Sequence, residues 1–164
     1  MSNKKNLFPK GSKIEFKIEN YLENNVNIIE DNLKLISRQY KVYYRNKDYI
    51  GAIDLFCQGE DGAQVVVELK SKELGARDLG QIMAYYAVCK LRAETHKLPP
   101  PRLYCIGLSV GAQYKLGLTL LNDGKDINLT TKTYSILQEN DNKEIIVKLN
   151  NYNQEEEGTL RIFA

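Results

Sequence analysis

The chain has 164 residues, 43% of them hydrophobic and 27% charged, with a formal net charge of +2 and a pI near 8.3. That is room for one domain with a proper core, and less positive charge than a dedicated non-specific nucleic-acid binder carries. No apolar run approaches the ~20 residues that cross a bilayer, and no signal-peptide core follows the lysine-rich start, so a soluble, cytoplasmic protein without a membrane partner is expected. Cys57, Cys89 and Cys105 are odd in number, widely spaced and set in apolar runs. They predict buried free thiols, with no zinc spacing.

Residues 1–11 are rich in Lys and Asn and close with Pro9-Lys10-Gly11, the composition of a flexible basic arm. From Ser12, Ile14, Ile18, Tyr21 and Leu22 recur at helical spacing until Asn24-Asn25. Ser12-Lys13-Ile14-Glu15 is also a capping-box sequence, so Glu15 has a structural role open to it. Ile28, Ile29, Leu33, Leu35 and Ile36 predict a short helix or turn that feeds a strand. Ser37 to Lys47 reads as an antiparallel edge strand, with Tyr40, Val42 and Tyr44 on one side and a basic outer face of Arg38, Lys41, Arg45 and Lys47. Asp48 to Gly51 then turns the chain.

The next stretch organises the rest. Ala52 to Cys57 is an apolar run that holds one carboxylate, Asp54; Gly59-Glu60-Asp61-Gly62 is a turn; Val65-Val66-Val67 opens a second run that ends in Glu68-Leu69-Lys70. Runs this short suit strands buried on both faces, and strand alternation puts Glu68 and Lys70 on one side with Leu69 on the other. Charges in such strands are costly unless they pair, hold metal or do chemistry. Two carboxylates at one end of a sheet repel unless one is protonated or a cation lies between them. Mg²⁺ takes one or two carboxylates plus other oxygens, and the Leu69 carbonyl supplies a further one. Lys70 beside it can orient or help deprotonate an attacking water, or neutralise charge that develops on phosphorus. These groups suffice to hydrolyse a phosphodiester.

After a polar connection at Ser71–Leu74, a helix is expected from about Ala76 to Thr95, with Leu79, Ile82, Met83, Tyr86 and Ala87 as its packing face and Asp78, Gln81, Tyr85 and Arg92 on another. His96, the one histidine, and Pro99 to Pro101 end it; His96 reads as a surface or capping residue. Arg102 to Val110 predicts a buried strand, Gly111 to Leu121 a helix, and Ile127–Leu137 and Glu144–Leu149 two more strands. Residues 150–164 form a polar, acidic segment with a last strand at Thr159–Phe163. The alternation of elements predicts an α/β protein, a mixed sheet flanked by helices, with one domain over residues 12–149.

Ile53-Asp54 followed by Glu68-Leu69-Lys70 across a hairpin resembles the PD-(D/E)XK nuclease superfamily, with Ile53 in the proline position of that notation. Glu15-x-x-Ile18 and Leu22, Ile29-Glu30-x-x-Leu33-x-Leu35-Ile36, Gly51-x-Ile53-Asp54-Leu55, Val66-Val67-Glu68-Leu69-Lys70 and Asp78-Leu79-x-Gln81-x-x-x-Tyr85 are similar to the nuclease domain of the NucS/EndoMS endonucleases, over roughly Ser12 to Leu137. The resemblance implies a restriction-endonuclease-like central sheet and a Mg²⁺- or Mn²⁺-dependent endonuclease acting on duplex or single-stranded DNA. It implies Asp54, Glu68 and the Leu69 carbonyl as metal ligands and Lys70 as the catalytic lysine. Glu15 becomes the helical acid that completes the metal site or orients its water, with Glu19 and Glu23 as fallbacks. Gln81 and Tyr85 become polar helix residues beside the scissile phosphate. The segment from Ile36 to Gly51 is longer than the family's usual one, and no counterpart of the family's N-terminal DNA-binding and dimerisation domain is expected. A homodimer, or a protein partner that supplies specificity, stays open. So do a nuclease for RNA or branched DNA, and a catalytically silent binding or inhibitory protein on the same fold.

Overall fold

The computed structural model describes residues 12–123, 127–139, 141 and 144–153. The arm expected over 1–11 and the strand expected at 159–163 lie outside them. Helix α1 (Ser12–Glu23) buries Ile18 and Leu22, four residues apart, and Val26, Ile29 and Leu33 carry the same apolar face onward. The short helix or turn expected there is a single 3₁₀ turn at Val26–Ile28.

Six strands then lie side by side in chain order: β1 (Lys34–Tyr44), β2 (Asp48–Gln58), β3 (Gln64–Leu69), β4 (Arg102–Gly107), β5 (Asn128–Glu139) and β6 (Ile145–Asn151). The pairs β1–β2, β2–β3 and β5–β6 are antiparallel, while β3–β4 and β4–β5 are parallel. Parallel neighbours need long crossovers, and α2 (Ala76–His96) and α3 (Ala112–Asp123) supply them. One sheet face, with Leu55, Cys57, Val65, Val67, Leu69 and Ile106, packs on α1; the other, with Phe56, Val66, Leu103 and Cys105, packs on α2 and α3. Covered on both sides, β3 is buried throughout, which is why its residues form a continuous apolar run. The architecture is the expected α/β one. All three cysteines are free and buried. Among the described residues no helix is long and apolar enough to cross a membrane.

Several expectations are corrected. Asp48 to Gly51 is no turn: these residues open β2, and the chain reverses at Arg45–Lys47, with Arg45 and Asn46 in the left-handed region at φ 52° and 58°. No glycine marks that turn, so the residue pattern did not announce it. Strand β4 stops at Gly107, and Val110 instead forms an isolated parallel bridge with Leu74. On α2, Ala87 is exposed and Tyr85 is fully buried, the reverse of the expected faces. The helix packs on both the sheet and α3, so its buried arc is rotated and wider than a single-sided pattern suggests. Arg38 belongs to no open basic face, since it turns toward α1, as described below.

Candidate active site

The site forms where two strands part. The β2–β3 ladder ends at the pair Leu55–Val67. Beyond it, side chains take over the bonding. The Leu69 N–H donates to Asp54 Oδ2 at 2.7 Å, and the Asp54 N–H donates to Glu68 Oε1 at 3.3 Å. Each carboxylate is thus fixed by the backbone of the other's strand. Both are buried, with Asp54 8% and Glu68 2% exposed. Burial raises Asp54 from near 3.8 to about 6, against the Leu69 N–H, which favours the anion. Burial also raises Glu68 well above the usual carboxylate range, and the Asp54 charge adds to the shift.

Lys70 follows at the end of β3, its Nζ 3.7 Å from Glu68 Oε2, on the same side as Glu68, as alternation predicts. Burial alone would lower its ammonium, but the charges of Glu68, Asp54, Glu15 and Asp78 outweigh that and hold it above its usual value. Lys70 is therefore a fixed cation near neutrality. The next residue is clamped from both sides: the Ser71 N–H donates to Glu15 Oε2 at 3.2 Å, and the Tyr134 hydroxyl of β5 donates to the Ser71 carbonyl at 2.7 Å. Glu15 thus lies beside Lys70, its carboxylate engaged with the strand end.

A second acid from α1 reaches the site. Gln39 stands opposite Asp54, between the β1–β2 pairs Arg38–Leu55 and Tyr40–Ile53, with a left-handed backbone at φ 50°. Its Nε2 donates to Asp54 Oδ1 at 2.9 Å and to Glu19 Oε1 at 3.0 Å. Arg38 secures that acid: its Nε donates to Glu19 Oε1, and its Nη1 to Asn20 Oδ1 and Glu23 Oε2 at 2.6 and 2.8 Å. Glu19 and Glu23, read as fallbacks for the helical acid, are thus bound to Arg38, with Glu19 also linked to Asp54 through Gln39.

On α2, Gln81 Nε2 donates to the Tyr85 hydroxyl at 3.0 Å, which donates to the Ala52 carbonyl at 3.1 Å. Tyr85 is 0% exposed, so its hydroxyl holds Gln81 and β2 together. Burial, with the Glu68 charge, pushes that hydroxyl up to about 12. Asp78 caps the helix, its Oδ2 accepting the Gly75 N–H at 2.7 Å. Arg92, expected on the Gln81 face, lies over the Tyr40 and Phe56 rings, and its Nη1 donates to Gln64 Oε1 at 3.4 Å. His96 is exposed at the helix end.

Residues 14–97 match the family model of the endonuclease NucS C-terminal domain, which is half of the chain. The chain belongs to that family. Among solved structures, this NucS-family chain is similar to an EndoMS–dsDNA2 complex, with a TM-score of 0.54 and 21% identity, over 79% of this chain and 48% of that one. It is likewise similar to a repair endonuclease from Pyrococcus abyssi, with a TM-score of 0.54 and 20% identity, over 74% of this chain and 47% of that one. At such identities the likeness speaks for the fold, and the chain spans about half the length of these structures. No curated protein matches it.

The donor set of this NucS-family site fits a hard divalent cation. Its buried donors are carboxylate oxygens whose repulsion one ammonium leaves uncancelled. Among the described residues no three Asp, Glu, His or Cys side chains gather at one point, so Asp54 and Glu68 are the side-chain pair and Glu15 stands apart at Ser71. Sequence reasoning missed Gln39 and Tyr134. Neither carries a motif: Gln39 is a polar residue in a basic strand, and Tyr134 is one tyrosine in a Thr-rich strand.

Proposed function

We propose that this chain hydrolyses DNA phosphodiester bonds in a reaction that needs Mg²⁺ or Mn²⁺. The observation that carries the reading is the pair of buried carboxylates, Asp54 and Glu68, cross-bonded where β2 and β3 part, with the Lys70 ammonium acting on both. Asp54 and Glu68, with the Leu69 carbonyl, would hold the cation, which supplies Lewis-acid polarisation of the scissile phosphate. Lys70, whose ammonium the surrounding carboxylates favour, would orient or help deprotonate the attacking water and offset charge gathering on the phosphate oxygens. Glu15 is a positioning residue that fixes the Ser71 backbone and hence Lys70. Gln81 keeps one amide hydrogen for a phosphate oxygen while its other is held by Tyr85. DNA is the proposed partner.

The test is cleavage of supercoiled plasmid, linear duplex and single-stranded DNA, with an RNA control, in Mg²⁺, Mn²⁺ or EDTA. Cutting that needs the metal and is lost in Asp54→Asn and Lys70→Met, both folded by circular dichroism, is the expected result. Cutting that survives EDTA, or survives either substitution, overturns the reading.

A further inference from the structure

The β1–β2 hairpin carries an aromatic and basic surface that the core does not use. Tyr43, Tyr44 and Tyr49 are exposed, Tyr49 at 59%, and Ile50 beside them is exposed as well. Tyr43 and Tyr49 form a cross-strand pair, with ring centroids 5.5 Å apart and tilted by 57°. Arg45 lies over the Tyr44 ring at 5.1 Å. Lys41, Arg45 and Lys47 are exposed, and among the described residues none of them is in an ion pair. The one acid in this stretch is Asp48. Hairpin stability explains a Tyr43–Tyr49 pair. It does not explain a third exposed tyrosine or three unpaired cations around them.

The surface is also attached to the site. Tyr49 precedes Asp54 by five residues on the same strand, about 17 Å at the strand rise. It is close enough to Tyr85 to add to the upward shift of that hydroxyl. Gly51, between them, lets the strand pass over Tyr85, because a Cβ there would overlap the Tyr85 hydroxyl. A strand seated on the hairpin therefore leads along β2 to the Asp54–Glu68 pair.

We propose that this hairpin is a docking arm for single-stranded nucleic acid, whose unpaired bases stack on Tyr43 and Tyr49 and whose phosphates pair with Lys41, Arg45 and Lys47. The positive charge calls for a polyanion, and the exposed rings call for bases free of a duplex stack. The inference rests on the nuclease reading for its substrate class and adds the strand state in which that substrate is held.

The experiment is fluorescence anisotropy in EDTA with a labelled oligothymidine, a duplex of equal length and an oligouridine. The substitutions are Tyr43→Thr with Tyr49→Thr, which keep β propensity while removing the rings, and separately Arg45→Ala with Lys47→Ala. The threonine variant should bind oligothymidine about tenfold more weakly or worse, with duplex binding little changed. The charge variant should lose affinity for both and show a shallower salt dependence. Should the double threonine variant not fold, Tyr49→Thr alone carries the test with a smaller loss. Oligouridine bound as well as oligothymidine places the arm's preference in the single strand, whereas a native protein that binds duplex better than oligothymidine overturns it. Equal oligothymidine binding by the native and threonine proteins also overturns the arm, even if DNA is cut. Ring-dependent binding by a protein that cuts nothing leaves the arm standing and ends the nuclease reading.

Discussion

Asp54 is buried, and the Lys70 charge and its own hydrogen bonds do not offset that burial, an arrangement whose cost can be measured. Its carboxyl is raised from near 3.8 to about 6, so the folded protein binds its proton more tightly than the unfolded chain does. The anion destabilises the metal-free fold above that range by about 3 kcal/mol at most. Asp54→Asn should therefore raise the unfolding midpoint in EDTA near neutral pH while abolishing cleavage, and differential scanning fluorimetry reads the first effect. A lowered midpoint would mean that the carboxylate's bonds to Leu69 and Gln39 outweigh its burial. Gln39 makes a second prediction. Gln39→Ala frees Asp54 and Glu19 from each other, and the expected result is a loss of about tenfold in turnover with a lowered midpoint, since two buried carboxylates each lose a donor. Native turnover would show that the bridge is dispensable. At this scale the sequence reveals the chemistry but not its supports. Asp54, Glu68 and Lys70 stand out because charges interrupt apolar runs. Gln39 is an exposed edge-strand residue with a left-handed backbone whose amide bridges two carboxylates, and no periodicity encodes that.

Elements reveal the same division between what a pattern carries and what packing decides. Strand β3 and helix α1 are legible because burial on one or both faces writes itself into residue spacing. The rotation of α2 is not, because it depends on α3 and on one glycine in another strand. At Gly51, φ is 154° and the Tyr85 hydroxyl occupies the space that a side chain would need. Gly51→Ala should then destabilise by about 2 kcal/mol or more, from overpacking and a backbone that L residues avoid. Tyr85→Phe in the same chain should recover part of the loss by removing the hydroxyl, with the backbone strain left behind. Urea midpoints of the two single variants and the double variant close the cycle. Strict additivity would show that the two residues do not meet as described.

Across the whole molecule the carboxyls at the two ends of the central parallel strands are shifted in opposite directions. At their N-terminal ends Arg102 donates from Nε and Nη2 to the two oxygens of Glu30, each at 2.8 Å, and from Nη1 to Asp61 Oδ2 at 2.7 Å. The Tyr104 hydroxyl also donates to Glu30 Oε1, at 2.8 Å. The hydrogen bond from Arg102 is the main cause holding Glu30 below its usual range, and the same holds for Asp61. Lowered carboxyls contribute stability that is present above their unfolded values and is lost as pH falls through their folded ones. Asp54 and Glu68, at the other end, behave oppositely: the cost of Asp54 is absent below about 3.8, grows as pH rises and is complete above about 6, and Glu68 carries the same trend further up the scale. In EDTA the unfolding midpoint should therefore peak in mildly acidic buffer and decline toward neutrality. A divalent cation held by the two carboxylates favours their charged forms, so Mg²⁺ should lift the neutral side of the curve far more than the acidic side. Arg102→Met should flatten the acid limb alone, because Glu30 and Asp61 then lose the partner that lowers them. Midpoints measured across the acid-to-neutral range, in EDTA and in Mg²⁺, decide the matter. A midpoint that climbs steadily to neutrality in EDTA would mean that the Asp54–Glu68 pair is not the electrostatic weak point of the fold, and the cation would then lose its physical reason to bind there.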